Sequence, residues 1–145
     1  MRLVTRTRGD AGFTLVELLV VLLILGILAG IALMSLTKHT AKAQDAEAKS
    51  NARSIVSVVE ACNAAEDDYR NCESDDVPGI RNTGIALGGG PGKVVVTSTA
   101  RRSFTVTSLS RSGNVFVMTR TDGAGVVRTC EVRGDEDGGC SGGSW

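Results

Sequence analysis

The sequence predicts an α+β fold: a long N-terminal helix, membrane-embedded in its first half, packed against a small antiparallel β-sheet. Three observations carry this. Residues 13–36 form an apolar run in which Glu17 is the only formal charge. Beyond it, apolar residues recur at helical spacing, with no Pro or Gly between Ile31 and Tyr69. After Gly92, four runs rich in Val, Thr and Phe alternate with short turns.

The chain begins with a short basic leader, residues 1–12, carrying Arg2, Arg6 and Arg8 against Asp10 and ending in Gly12. Arginines before an apolar segment hold that end on the cytoplasmic side. Residues 13–36 form the membrane segment. As a helix they would measure roughly 36 Å, enough to cross a bilayer. A secretory signal has a shorter apolar region followed by a cleavage site. Here the small residues Ala29, Gly30 and Ala32 lie inside the run, which leaves ordinary signal cleavage near Ala32 as the lesser alternative. A carboxylate within such a segment costs about 2.5–3.5 kcal/mol on insertion scales, so Glu17 needs a partner and a function.

Residues 37–72 continue the helix in amphipathic form and include the first cysteine loop. Ala48, Ala52, Ile55, Val56, Val59 and Cys62 share one face; Lys49, Arg53, Glu60 and Glu66 fall on the other. The helix is expected from about Phe13 to about Asp68. It lacks a sustained Leu/Ile heptad seam, which disfavours a simple coiled coil. Residues 73–145 supply a loop and the sheet head. Val77-Pro78-Gly79 and residues 87–92 read as turn and loop. Strands are expected at Lys93–Thr99, Ser103–Leu109, Val115–Arg120 and Gly125–Val132, and connections this short imply an antiparallel meander. The third run is apolar on both faces, as suits a central strand. Neither the sheet nor the helix can bury its apolar face alone, so each should cover the other.

Composition narrows the function. Formal net charge is zero, with +2 in residues 1–12 and −2 in the remainder, so no basic excess indicates nucleic acid as a partner. The four cysteines fall in two pairs of equal spacing, Cys62/Cys72 and Cys130/Cys140, without CxxC spacing. One histidine cannot complete a usual zinc set. Two disulfides in an oxidising compartment is the economical reading; four free thiols in a cytosolic domain is the alternative. Three connectivities are open. Cys62–Cys72 and Cys130–Cys140 are favoured because short loops close readily, each contributing on the order of 3 kcal/mol.

A basic leader ending in Gly12, then Phe13, Thr14-Leu15, Glu17 and an apolar run containing Gly26, resembles type IV pilins and the related type II secretion pseudopilins. The resemblance covers Gly12 to about Leu33. It implies the type IV pilin-like fold and cleavage of the leader between Gly12 and Phe13 by a prepilin peptidase. It also implies N-methylation of the new Phe13 amine and a need for Glu17 in assembly. The amine created at Phe13 is the partner Glu17 lacks in the uncut chain; the alternative is that Glu17 snorkels to the nearby interface. The implied partners are identical subunits in a helical filament, the peptidase, an assembly platform with its ATPases, and the membrane before assembly. The implied location is the plasma membrane in a single pass, then the cell surface. Gly26 and Gly30 form GxxxG, which permits close helix approach or arises by chance in a Gly- and Ala-rich span. Met34 stands where many members have a proline, which removes a kink-prone site. The Cys130/Cys140 pair resembles the family's C-terminal disulfide-bounded region.

Nothing points to an enzyme. His39, next to Lys38 and close to Lys42, reads as solvated or facing headgroups. Residues 87–92 lack the Lys-Ser/Thr of a P-loop. Arg101-Arg102 reads as an ordinary turn before it reads as an anion contact. No cofactor is expected; Asp135 and Asp137, beside Glu136 in the second cysteine loop, are weak calcium candidates without EF-hand spacing. The expected function is the major subunit of a type IV pilus. The alternatives are the major pseudopilin of a type II secretion system and, less favoured, a monomeric membrane-anchored binding module.

Overall fold

Thr14 starts the long helix. A computed structural model describes residues 12–73 and 78–145. Of the expected leader only Gly12 is therefore described, and the side chains of residues 33–37, Met34 included, also lie outside the described set. Helix α1 runs Leu15–Glu66. The Thr14 hydroxyl accepts the Glu17 amide at 3.2 Å, a side-chain cap on an otherwise orphan donor. Thr14-x-x-Glu17 is also the sequence of a capping box, with the acid where the helix dipole favours negative charge. The other end stops at Asp67, whose φ of 53° leaves the helical region and whose amide bonds to the Asn63 carbonyl at 2.8 Å. Arg101 ties this end down, donating to the Asp67 carbonyl at 2.8 Å and pairing with its carboxylate.

The chain divides into two units, 1–37 and Lys38–Trp145. In the first, the described helical residues are exposed, and Leu15–Ala32 is long and apolar enough to cross a membrane by length and composition.

In the second unit, four strands follow the helix: β1 (Lys93–Ala100), β2 (Ser103–Leu109), β3 (Val115–Arg120) and β4 (Val126–Glu131). They pair antiparallel in the order β1-β2-β3-β4. Along β2, Phe104, Val106 and Ser108 point inward while their neighbours are half-buried. β3, an inner strand, buries Val115, Phe116 and Met118. Ala52, Ile55, Val56 and Val59 of α1 pack with Val94, Phe104, Val106 and Met118 in one core, so helix and sheet cover each other as their apolar faces require.

Both sheet edges are blunted. Gly88 and Ala86 bond to Val94 along β1, and the Cys130 amide of β4 bonds to the Gly143 carbonyl at 2.9 Å. Unpaired strand edges invite pairing with other chains, and these are partly occupied. Disulfides join Cys62 to Cys72 and Cys130 to Cys140.

One segment departs from expectation. The first cysteine loop contains a 3₁₀ turn, Tyr69–Asn71, and the stretch read as turn and loop contains a short helix α2, Pro78–Asn82. Asp68 caps the 3₁₀ turn, and its hydrogen bonds to Arg70 lower its carboxyl to about 2. Proline suits the first turn of a helix, and burial of Ile80 in the core gives α2 a reason to form. Punctuation by Pro and Gly marks where chains turn, but the apolar residue between two breakers decides whether the turn is also packed.

Candidate functional site

The N-terminal segment presents its chemistry without cover. Gly12, Phe13 and Thr14 precede α1, and Phe13 is 78% exposed. Glu17 sits on the first helical turn among exposed Leu15, Val16, Leu18 and Leu19. A Cβ added at Gly26 or Gly30 would meet nothing within 4 Å. Mid-helix glycine costs about 1 kcal/mol relative to alanine, and no close approach among the described residues explains either one.

The head holds two polar clusters that periodicity did not reveal. Asp45, 1% exposed, lies on the apolar face of α1 three residues before Ala48. Its carboxylate accepts the Ser112 hydroxyl at 2.5 Å and the Asn114 amide at 3.1 Å. Asn114 is fully buried. Its Oδ1 accepts the Arg133 and Gly134 amides at 2.9 and 2.8 Å, which fixes its orientation and turns Nδ2 toward Asp45 and the Glu136 carbonyl. Helix, β2–β3 turn and C-terminal loop thus share one buried network. Gly138 completes it: φ is +58°, and a Cβ there would lie 2.5 Å from Asp45 Oδ2. The signal available in sequence was an acidic residue in register with the apolar stripe.

The second cluster is Glu60, Tyr69 and Arg120. Glu60 accepts the Tyr69 hydroxyl at 2.8 Å and Arg120 Nη1 at 2.5 Å. Burial, then the hydrogen bond to Glu60, pushes the Tyr69 phenol up to about 12. The fold favours the neutral phenol, so this contribution is complete below the ordinary value of 10.0 and is lost as pH rises toward 12. Tyr69 is the sole tyrosine. An alkaline absorbance titration is expected to show a midpoint near 12 that falls in Glu60→Gln; a midpoint near 10 would contradict the burial.

Two residues assigned to the solvated face of α1 are therefore engaged. Glu60 binds Tyr69 and Arg120, and Lys49 donates to the Gly138 carbonyl and lies 4.9 Å from the Phe116 ring centroid. Helical spacing divides a helix into two faces, whereas a head that wraps around it also engages the flanks.

The remaining candidates are plainly placed. His39 is exposed. Arg101 closes on Asp67, and Arg102 lies 3.9 Å from Asp122, so both arginines brace the β1–β2 turn. Asp135 is exposed; Asp137 accepts the Gly139 amide at 2.9 Å. Among the described residues no three His, Cys, Asp or Glu side chains gather as a metal-binding group.

A family profile described as Prokaryotic N-terminal methylation motif matches residues 7–33. Over 60 residues the chain is 37% identical to the type IV major pilin protein PilA of Myxococcus xanthus (strain DK1622), covering 41% of this chain and 27% of that pilin. The matched stretch thus spans about a quarter of the relative's length. No solved structure matches the chain significantly. With the methylation motif lying across Gly12, Phe13 and Glu17, and with a long apolar helix and a four-stranded antiparallel sheet, the chain carries the prokaryotic N-terminal methylation motif and is similar over its N-terminal segment to a type IV major pilin.

Proposed function

We propose that this chain is the major structural subunit of a type IV pilus, held in the membrane as a precursor and then assembled through its N-terminal helix. The observation that carries the reading is a single carboxylate, Glu17, on the first turn of an exposed apolar helix, four residues past the Phe13 junction. Cutting after Gly12 by a prepilin peptidase frees an amine at Phe13, which is then N-methylated. An ammonium and a carboxylate at about 4 Å attract by roughly 4 kcal/mol at an effective dielectric near 20. Desolvation offsets part of this. Between neighbouring subunits the pair neutralises two charges that the apolar layer solvates poorly, and it fixes axial register. Gly26 and Gly30, which meet no close neighbour among the described residues, then serve close helix approach. An assembly platform and its ATPases supply the work of extraction from the membrane, and the mature filament lies at the cell surface.

The same segment would serve a type II secretion pseudopilin. The two-disulfide head with its closed C-terminal loop favours the pilus. The role is structural and needs no cofactor. Asp137 is held in a turn and shares a cleft with Lys42, Lys49 and Arg53, which repel a cation. Chelation of calcium is accordingly expected to leave the thermal midpoint unchanged; a fall would assign Asp135 and Asp137 to a metal. The central test is electron microscopy of sheared surface filaments with mass spectrometry of their subunit. Filaments whose subunit begins at N-methylated Phe13 are expected. An intact leader, or cleavage near Ala32, would overturn the assignment.

A further inference from the structure

The described cations of the head are not evenly compensated. Seven face a carboxylate within 4 Å, from Lys38 with Glu136 to Arg133 with Glu131. Arg81 aside, five do not among the described residues: Lys42, Lys49, Arg53, Lys93 and Arg128. Four of these five gather in one place. Lys42, Lys49 and Arg53 line an open cleft of about 450 Å³ with Ala46, Gly138 and Gly139, and Asp137 is its only acid. Arg53 and Arg128 lie 4.9 and 5.6 Å from the centroid of the adjoining Trp145 ring, with the Lys49 ammonium at 5.8 Å.

The three helical cations fall on one face of α1, spread over eleven residues or about 16 Å. Lys49 and Arg53 are four apart, a like-charge spacing that destabilises a helix by a few tenths of a kcal/mol. Chance scatter of solvated charges would place the uncompensated cations apart and the paired ones among them. Here, among the described residues, pairing prevails elsewhere on the head, Lys93 excepted, and the other unpaired cations collect at one groove.

We propose that this groove binds an acidic polysaccharide, a linear chain bearing carboxylate groups. Charge complementarity asks for an anion, and the open, elongated arrangement asks for an extended one. Nucleic acid fits less well. The head carries 13 Lys and Arg against 14 Asp and Glu, so it has no net field for a partner as densely charged as a phosphodiester backbone. Base stacking needs a free aromatic face, but Arg53 and Arg128 lie against the Trp145 ring and its indole N–H donates to the Thr129 carbonyl at 2.9 Å. Small residues at Ala46, Gly138 and Gly139 leave room for sugar rings between the cations. The inference concerns the head alone and stands whether or not the chain forms filaments.

The chain has one tryptophan, so its emission reports on this groove. Full-length protein in neutral detergent is titrated with alginate oligomers, neutral dextran oligomers, a DNA duplex and phosphatidylglycerol vesicles. Alginate is expected to change Trp145 emission saturably, with affinity falling as salt rises, while dextran has no effect. The double variant Lys42→Gln/Arg53→Gln should bind about tenfold more weakly, since exposed charge contacts contribute up to about 1 kcal/mol each. Arg53→Lys should retain most of the affinity, and Arg111→Gln, which removes a cation paired with Glu47, should change it less than twofold. Unaltered binding by the double variant, alginate binding without a change in Trp145 emission, no alginate binding, or tighter binding of DNA or vesicles would each overturn the proposal.

Discussion

Asp45→Ala is expected to destabilise the head by about 3 kcal/mol, measured by denaturant unfolding of the detergent-solubilised chain. The substitution removes the acceptor for the Ser112 hydroxyl and the Asn114 amide in a site where both Asp45 and Asn114 are buried. A buried donor left without a partner costs about 1–3 kcal/mol. The Asn114 N–H that faces Asp45 is orphaned here, whereas the half-buried Ser112 hydroxyl can still donate to Ser110 Oγ at 3.0 Å. The buried cavity that is also left brings the loss to the upper end. The loss should be concentrated at the C-terminal loop, because Asn114 also anchors Arg133, Gly134 and Glu136. Asp45→Asn serves as the control. Its amide oxygen can still accept from Asn114 and its NH₂ can donate to Ser112, so a loss of only about 1 kcal/mol is expected. Equal losses in the two variants would show that charge, rather than hydrogen-bond count, holds the network.

Glu17→Ala is expected to leave leader processing intact and to reduce sheared filament yield by at least about tenfold, the equivalent of 1.4 kcal/mol per subunit addition. On the proposed function, processing would read the residues around Gly12–Phe13, whereas assembly would require the carboxylate. Glu17 also occupies the third position of the helix, beside the Thr14 cap, so alanine disturbs two things at once. Glu17→Gln separates them. It keeps a side chain able to serve the capping box but removes the charge. If subunits carrying Glu17→Gln assembled normally while the alanine variant failed, helix capping would replace the ion pair as the explanation. Mass spectrometry of the membrane-held subunit checks processing in each case.

Much of the fold was legible because its signals are local. The span at Leu15–Ala32 follows from composition over a window, and β2 and β3 fall at Ser103–Leu109 and Val115–Arg120, the ranges the Val-, Thr- and Phe-rich runs mark. The short separation within each cysteine pair likewise favoured, among three open connectivities, the one the structure holds: Cys62–Cys72 and Cys130–Cys140. Less legible were α2, where Ile80 alone makes a packed turn of an apparent loop, and the flanks of α1, where Lys49 and Glu60 share the spacing of solvated residues.

The sequence by itself determined the N-terminal segment: its apolar length, the isolated Glu17 and the methylation motif over residues 7–33. Membrane insertion and proteolytic processing read contiguous residues, so contiguous residues suffice to specify them. Only the tertiary structure decided how the head is fastened and where its charge is left uncompensated. Asp45 reaches partners 67 and 69 residues away, and Lys49 one 89 residues away. Such contacts exist only after the sheet has folded onto the helix and excluded water. At that point a buried carboxylate must find its hydrogen bonds, whereas an exposed cation need not find an acid.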